Sequence, residues 1–287
     1  MKLVRYGPAG AEKPGLIDAE GRVRDLAGEI AEIDAAALAP DALARLAALD
    51  PASLPLVEGN PRLAVPLSGI GKLIGIGLNY ADHAAETNSA IPDEPILFAK
   101  QTTALNEPNG KIMIPRGATK VDWEAELGVI IGSTARYVSE TEALAHVAGY
   151  CVSNDVSERD FQQNRGGDWQ KGKSCDSFGP LGPWLVTTDE VPDPQALAIR
   201  LEVNGETMQD SSTEQMIFGV AYLVSYISEF MTLAPGDVIS TGTPPGVGAG
   251  RNPPRFLQPG DVVTLGVEGL GEQRQEVVAP DGPPPGD

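Results

Sequence analysis

Residues 123–131 form an apolar run broken by two acids, Glu124 and Glu126, one residue apart. In a strand the side chains alternate, so both carboxylates share a face with Gly128 and Ile130, while Trp123, Ala125, Leu127, Val129 and Ile131 line the other. Apolar residues on both faces describe a strand covered on both sides. A carboxylate pair there needs a compensating partner, because an unpaired buried charge is costly. The simplest partner is a hard divalent cation, which takes oxygen ligands. Taken alone, the two-glutamate pattern fits a solvated strand end more readily. A third acid in a similar setting shifts the balance: Asp155 lies in the β-prone run Tyr150-Cys151-Val152-Ser153-Asn154-Asp155-Val156. Three carboxylates without His or Cys ligands favour Mg2+, then Mn2+ or Ca2+, over zinc.

With 21 basic and 40 acidic residues among 287, the formal charge of −19 opposes binding to nucleic acid or to an anionic membrane surface. A small anionic substrate stays open, provided a metal and a few Lys or Arg residues reverse the local field. Cys151 and Cys175 are too few for a secreted disulfide framework and read as small buried thiols. The N-terminus lacks the apolar core of a signal peptide. The most apolar helical segment, 215–233, is interrupted by Ser225, Ser228 and Glu229 and reads as a core helix rather than a membrane span. A cytoplasmic location is the expectation.

The pattern predicts an α+β, mainly β chain. Residues 1–66 read as a small α+β domain with short strands at 3–6, 15–18 and 22–26, the last two joined by a hairpin-like turn at Ala19-Glu20-Gly21. An Ala/Leu-rich helical segment follows over 30–49, with Pro40 starting a new turn or helix, and Pro51, Pro55, Pro61 and Pro66 mark a boundary. The main domain, 67–280, has strands predicted at 73–77, 96–100, 127–132, 149–155, 184–187, 198–203, 237–240 and 261–267. Residues 281–287 read as a flexible Pro/Gly tail. There is no βαβ alternation and no glycine fingerprint after a first strand, which argues against a dinucleotide-binding domain.

Asn79-Tyr80-Ala81-Asp82-His83-Ala84-Ala85-Glu86 follows a strand and reads as a short helix capped near Asn79, with His83 and Glu86 on one face. A carboxylate beside an imidazole orients it and raises its basicity, as a water-activating base requires. From spacing alone a surface His–acid pair is the more ordinary reading. His146 reads as structural or surface. Arg159, Gln162, Lys171 and Lys173 lie close enough in sequence to Asp155 to serve an anionic ligand. The loop Thr241-Gly242-Thr243-Pro244-Pro245-Gly246-Val247-Gly248 follows a strand and offers hydroxyls and backbone N–H groups to an oxyanion, a weak motif in isolation.

Taken together and in this order, these motifs resemble the fumarylacetoacetate hydrolase superfamily. The resemblance runs from about residue 73 to 271. It includes Asn154-Asp155-Val156-Ser157 with Arg159, Asp160 and Gln162, Lys173 with Asp176, Phe178 and Pro180, and Gln215-Met216-Ile217-Phe218. It implies a mixed β-roll or barrel-like catalytic domain, commonly homodimeric, with Mg2+ held by Glu124, Glu126 and Asp155. Lys173 would sit beside the metal and contact substrate, Arg159, Gln162 and Thr243 would bind substrate, and His83 with Glu86 would form the base dyad of the bond-cleaving members. The N-terminal Lys2-Leu3-Val4-Arg5-Tyr6-Gly7 and the segment Arg165-Gly166-Gly167 with Trp169 and Lys171-Gly172-Lys173-Ser174-Cys175-Asp176 are similar to the 2,4-diketo-3-deoxy-L-fuconate hydrolase (acylpyruvase) subgroup.

The implied reaction is hydrolysis of a C–C bond in a 2,4-dioxo acid, giving pyruvate and lactate from that sugar acid. Oxaloacetate decarboxylation would use the same metal without water attack. A catalytically idle, metal-stabilised scaffold is the alternative outside enzymology, and neither the dyad nor a metal ligand has been lost, as that role would predict.

Overall fold

The computed structural model describes residues 1–280; the tail expected at 281–287 lies outside the described residues. A ten-stranded sheet runs, in spatial order, through Val23–Asp25, Lys13–Ile17, Lys2–Tyr6, Gly179–Thr187, Val147–Asn154, Ala125–Ile131, Val238–Ser240, Leu73–Gly77 and Ile96–Lys100, with Leu105–Asn106 joined to Gly179–Thr187. Most pairs are antiparallel; Val238–Ser240 lies parallel to Leu73–Gly77. A five-stranded sheet, in order Glu206–Ser212, Ala198–Val203, Val262–Val267, Gly271–Val278 and Ile112–Met113, packs against it. The fold is mixed and mainly β, as the sequence pattern implies.

Ala125–Ile131 is buried along its whole length because both faces are covered. Its odd-numbered side chains Leu127, Val129 and Ile131 join Ile199, Leu201, Val203 and Leu265 of the second sheet in one core. Ile130, on the other face, packs with Leu3, Leu16, Leu38 and Leu46 in a core built largely from the first 67 residues. The alternation read from sequence thus separates two cores. The N-terminal hairpin adds its strands to the large sheet directly, since Lys2 and Leu3 pair with Val186 and Leu185.

Three local expectations are corrected. Helix over 30–49 is confined to Pro40–Ala47. Proline lacks the N–H that a continuous helix would need, and just upstream the Asp34 carboxylate accepts the N–H groups of Ala36 and Ala37 in a turn. The apolar helix is Val220–Phe230 rather than 215–233, its first N–H taken by the Gln195 side chain at 2.7 Å. The run 123–131 is not one strand: Val121–Asp122 pairs with Ser157–Glu158, and regular pairing resumes at Ala125. Strands Glu206–Ser212 and Gly271–Val278 escape a hydrophobicity reading because their buried faces include Gln209, Gln273 and Gln275.

Candidate active site

Ala125–Ile131 and Val147–Asn154 pair antiparallel with Ala125 opposite Asn154, so adjacent strand ends bring the acids together. Glu124 precedes the first strand, Asp155 follows the second, and Asp155 N–H donates to the Glu124 carbonyl at 2.9 Å. With Glu126, they present three buried carboxylate oxygens within 4.8 Å of one another.

Three cations surround this cluster. Lys173, ending helix Gln170–Lys173, sends Nζ to Glu124 Oε2 at 2.7 Å and Asp155 Oδ2 at 2.6 Å. Arg159, opening helix Arg159–Asn164, donates Nε to Asp122 at 2.8 Å and Nη1 to Gln162 at 3.2 Å, and pairs with Glu124 at 2.7 Å. Lys100, at the inner end of Ile96–Lys100, bonds Asp155 and the Val156 carbonyl. Lys100 and Asp122 were missed in the sequence; each is a charged residue beside an apolar run, the same signal that exposed the glutamates. Lys171 does not join the site: its Nζ donates to Arg165 C=O.

The carboxylates are electrostatically unequal. Burial opposes ionisation of Glu124, but Lys173 and Arg159 outweigh it and hold the carboxyl at about 2. Glu126 goes the other way: burial, then the neighbouring Asp155 and Glu124, push its carboxyl well above the usual range. Glu126 accepts the Gly242 N–H at 3.0 Å and makes no ion pair among the described residues. Burial also depresses the Lys100 ammonium, an effect that Asp155 only partly offsets, whereas for Lys173 the carboxylates Asp155 and Glu124 overcome burial and raise it. An all-oxygen donor set containing one acid without a cationic partner fits a hard divalent cation.

The loop after Val238–Ser240 does collect anions through its amides, but they are the protein's own. Gly242 N–H holds Glu126, Gly246 N–H holds Glu86 at 3.0 Å, and the N–H groups of Gly248 and Ala249 hold Asp122 at 2.6 and 2.9 Å. Gly246 has φ +101°, and a Cβ there would lie 1.8 Å from the Met208 carbonyl oxygen, so no other residue fits. Thr243 donates its hydroxyl to Ala125 C=O at 2.9 Å and accepts from Gln209 Nε2 at 2.8 Å.

Helix Ala81–Glu86 lies across the cluster. His83 Nδ1 meets Glu86 Oε2 at 2.9 Å, so the i,i+3 pair forms as the spacing allowed. Asp82 anchors the helix by accepting the Ser211 hydroxyl at 2.6 Å. Asn79 is not its cap; Tyr80 occupies that position, and the buried Asn79 amide instead clamps Phe218 and the Thr241 carbonyl. Beneath the helix is a cavity of about 380 Å³ whose walls include Glu124, Glu126, Arg159, Gln162, Lys173, Thr243 and His83. Ile76, Phe98 and Trp169 make its apolar side, and Thr87, Ser89 and Gln163 add polar groups. His146 stands apart, bonded to Ser133 at 3.0 Å.

A mainly-β fold with a buried acid cluster beneath a His–Glu helix defines the class, and the comparisons give the family. The "Fumarylacetoacetate (FAA) hydrolase C-terminal" family model matches residues 72–278. A provisionally named hydrolase of Burkholderia lata is 58% identical over 276 residues, covering 96% of this chain and 98% of that one. The chain belongs to the fumarylacetoacetate hydrolase family. The fumarylacetoacetate hydrolase of Exiguobacterium antarcticum superposes with a TM-score of 0.86 at 35% identity, over 97% of this chain and 99% of that one. A 2-hydroxyhepta-2,4-diene-1,7-dioate isomerase of Mycobacterium marinum gives 0.76 at 31% identity, over 98% and 100%. The maleylpyruvate hydrolase of Sphingobium sp. SYK-6, solved with manganese(II) and pyruvate, gives 0.81 at 26% identity, over 98% and 100%. Hydrolases and isomerases are both represented. Among the described residues no helix is long and apolar enough to cross a membrane.

Proposed function

We propose that this protein hydrolyses a carbon–carbon bond in a 2,4-dioxo acid, with Mg2+ held by Glu124, Glu126 and Asp155, and that its substrate is 2,4-diketo-3-deoxy-L-fuconate, cleaved to pyruvate and lactate. The observation that carries this reading is that His83, backed by Glu86, faces the same cavity as the acid cluster. Mn2+ would suit the same donors, and manganese is the ion in the maleylpyruvate hydrolase structure.

When bound, the divalent cation supplies Lewis acidity to the keto-acid end of the substrate, where charge develops as the bond breaks. Four buried carboxylates (Asp122, Glu124, Glu126 and Asp155) face three buried cations (Lys100, Arg159 and Lys173), so a divalent ion turns the local balance positive and favours an anionic ligand. Lys173, Arg159 and Gln162, on the cavity wall, bind the substrate carboxylate, and Thr243 beside them, its own proton committed to Ala125 C=O, can accept from a substrate hydroxyl. His83 removes a proton from the water that attacks the C4 carbonyl. Glu86, 2.9 Å from Nδ1, fixes the tautomer with the proton on that nitrogen and stabilises the imidazolium that forms. The Gly246 N–H holds Glu86 in turn. As the C3–C4 bond breaks, the electron pair passes to C3 of the departing three-carbon acid, and the proton His83 took from water is delivered to that carbon, which returns the imidazole to its neutral form.

The test measures pyruvate release from 2,4-diketo-3-deoxy-L-fuconate and from oxaloacetate, side by side, with Mg2+ and with EDTA. Mg2+-dependent turnover of the diketo acid with lactate as co-product is the expected result. Faster turnover of oxaloacetate, with CO2 and no lactate, would make the protein a decarboxylase. Turnover of neither, with metal still bound, would leave the scaffold role, and activity that survives complete metal removal would overturn the metal assignment.

A further inference from the structure

We infer that the buried side-chain amides of Asn154, Gln275 and Gln209 are positioning residues that set the acid cluster's affinity for a divalent cation, by clamping the backbone at Glu124 and Ala125. This rests on the metal reading above. The strand is interrupted where the cluster forms, and side chains take over from a neighbouring strand there. Glu124 N–H donates to Asn154 Oδ1 at 3.3 Å, and Ala125 N–H donates to Gln209 Oε1 at 2.9 Å. Successive N–H groups point to opposite sides of an extended chain, so the two amides grip this peptide from both sides. Glu124 lies within the clamp and Glu126 follows it directly.

Asn154 is itself held. Its Nδ2 donates to Gln275 Oε1 at 3.0 Å, and Gln275 Nε2 donates to Pro108 C=O at 2.6 Å and Gln273 Oε1 at 2.8 Å. Gln273 Nε2 in turn donates to the carbonyls of Val152 and Gly182. The direction of the chain is dictated at its ends: a carbonyl at Pro108 can only accept, and an N–H at Glu124 can only donate. Each amide between them therefore has one orientation. All four side chains are fully buried. An apolar residue would fill those core positions at lower desolvation cost, so the amides are explained by what they hold. The chain connects the second sheet, through Gly271–Val278, to the ligands on the first.

Mn2+ titration of the metal-free full-length protein by calorimetry, with melting temperature in parallel, tests this. Gln275→Met, close in size, should weaken Mn2+ binding by about 10- to 100-fold, the range for outer-shell partners of metal ligands. Asn154→Ala should do the same. In the Asn154→Ala background the additional effect of Gln275→Met should fall below about twofold, because Gln275 acts through Asn154. Gln209→Met, on the other side of the peptide, should weaken binding independently. If Gln275→Met does not fold, Gln275→Asn keeps the amide but withdraws it by one methylene, and its Mn2+ affinity is read on the same scale. Mn2+ affinity within twofold of wild type for the Gln275 and Gln209 variants, whatever their melting temperature, would overturn the inference. Wild-type protein that binds no Mn2+ would refute the metal reading itself, and the positioning role with it.

Discussion

Asp18 and Glu126 are both buried carboxylates of the same molecule, and their surroundings are opposite. Asp18, beside the N-terminal hairpin, accepts the side chains of Arg22 and Arg24 at 3.0 and 2.8 Å and the N–H groups of Glu20 and Arg22. Burial works against its charge, yet these partners hold the carboxyl well below its usual range. Glu126 has a single backbone N–H and two acidic neighbours, and its carboxyl is held well above the usual range. The first arrangement is self-sufficient. The second leaves an acid without a cationic partner, as the cation site proposed above requires.

The two acids tilt stability in opposite directions with pH. A raised carboxyl means that the folded, metal-free protein keeps a proton the unfolded chain has released. The stability tied to Glu126 is therefore full below its ordinary value of 4.5 and declines as pH rises from there toward the folded value. A depressed carboxyl does the reverse: the contribution of Asp18 is full above 3.8 and is lost as pH falls through its lower folded value.

The largest expected effect comes from Glu126→Gln. It should cost at least about 10³-fold in metal-dependent turnover. The metal-free variant should nevertheless melt no lower than metal-free wild type, with an advantage that grows as pH rises above 4.5. A marked loss of melting temperature at pH 7 would break the contrast with Asp18. Next in size is His83→Ala, which should lower the rate by about 10²- to 10⁴-fold while Mn2+ affinity holds; a parallel loss of affinity would place His83 in the cation site instead. The smallest is Asp18→Asn. It should lower the melting temperature slightly at pH 7, converge with wild type as pH falls below 3.8, and leave turnover and Mn2+ affinity unchanged. Turnover altered by this substitution would mean the hairpin and the acid cluster are coupled.

The site was legible where a rule of local geometry sufficed. The i,i+3 spacing paired His83 with Glu86, and Glu124 and Glu126 converge as expected although Glu124 lies just outside the regular strand. It was illegible where a polar residue serves the interior of another element. Lys100 ends a strand read correctly at 96–100, yet nothing in that strand reveals that its ammonium reaches Asp155. Gln209, Gln273 and Gln275 made two strands look too polar to be core, because hydrophobicity counts an amide as exposed when it is in fact satisfied by other amides and backbone. Of the helix expected over 30–49 only the part that Pro40 opens is formed: proline is at home in a first turn but cannot continue a helix from upstream, where the Asp34 carboxylate takes the N–H groups of Ala36 and Ala37 despite the helix preference of the alanines.

By itself, then, the sequence determined the mainly-β character, the two-sided burial of the central strand and the identity of the acids, because these follow from side-chain period and the cost of burying charge. Only the tertiary structure decided which strand ends meet, and with them which cations reach which carboxylates. Those contacts join residues 18 to 55 positions apart in the chain. Charge pairing across such separations depends on sheet order and register, and no local pattern encodes either.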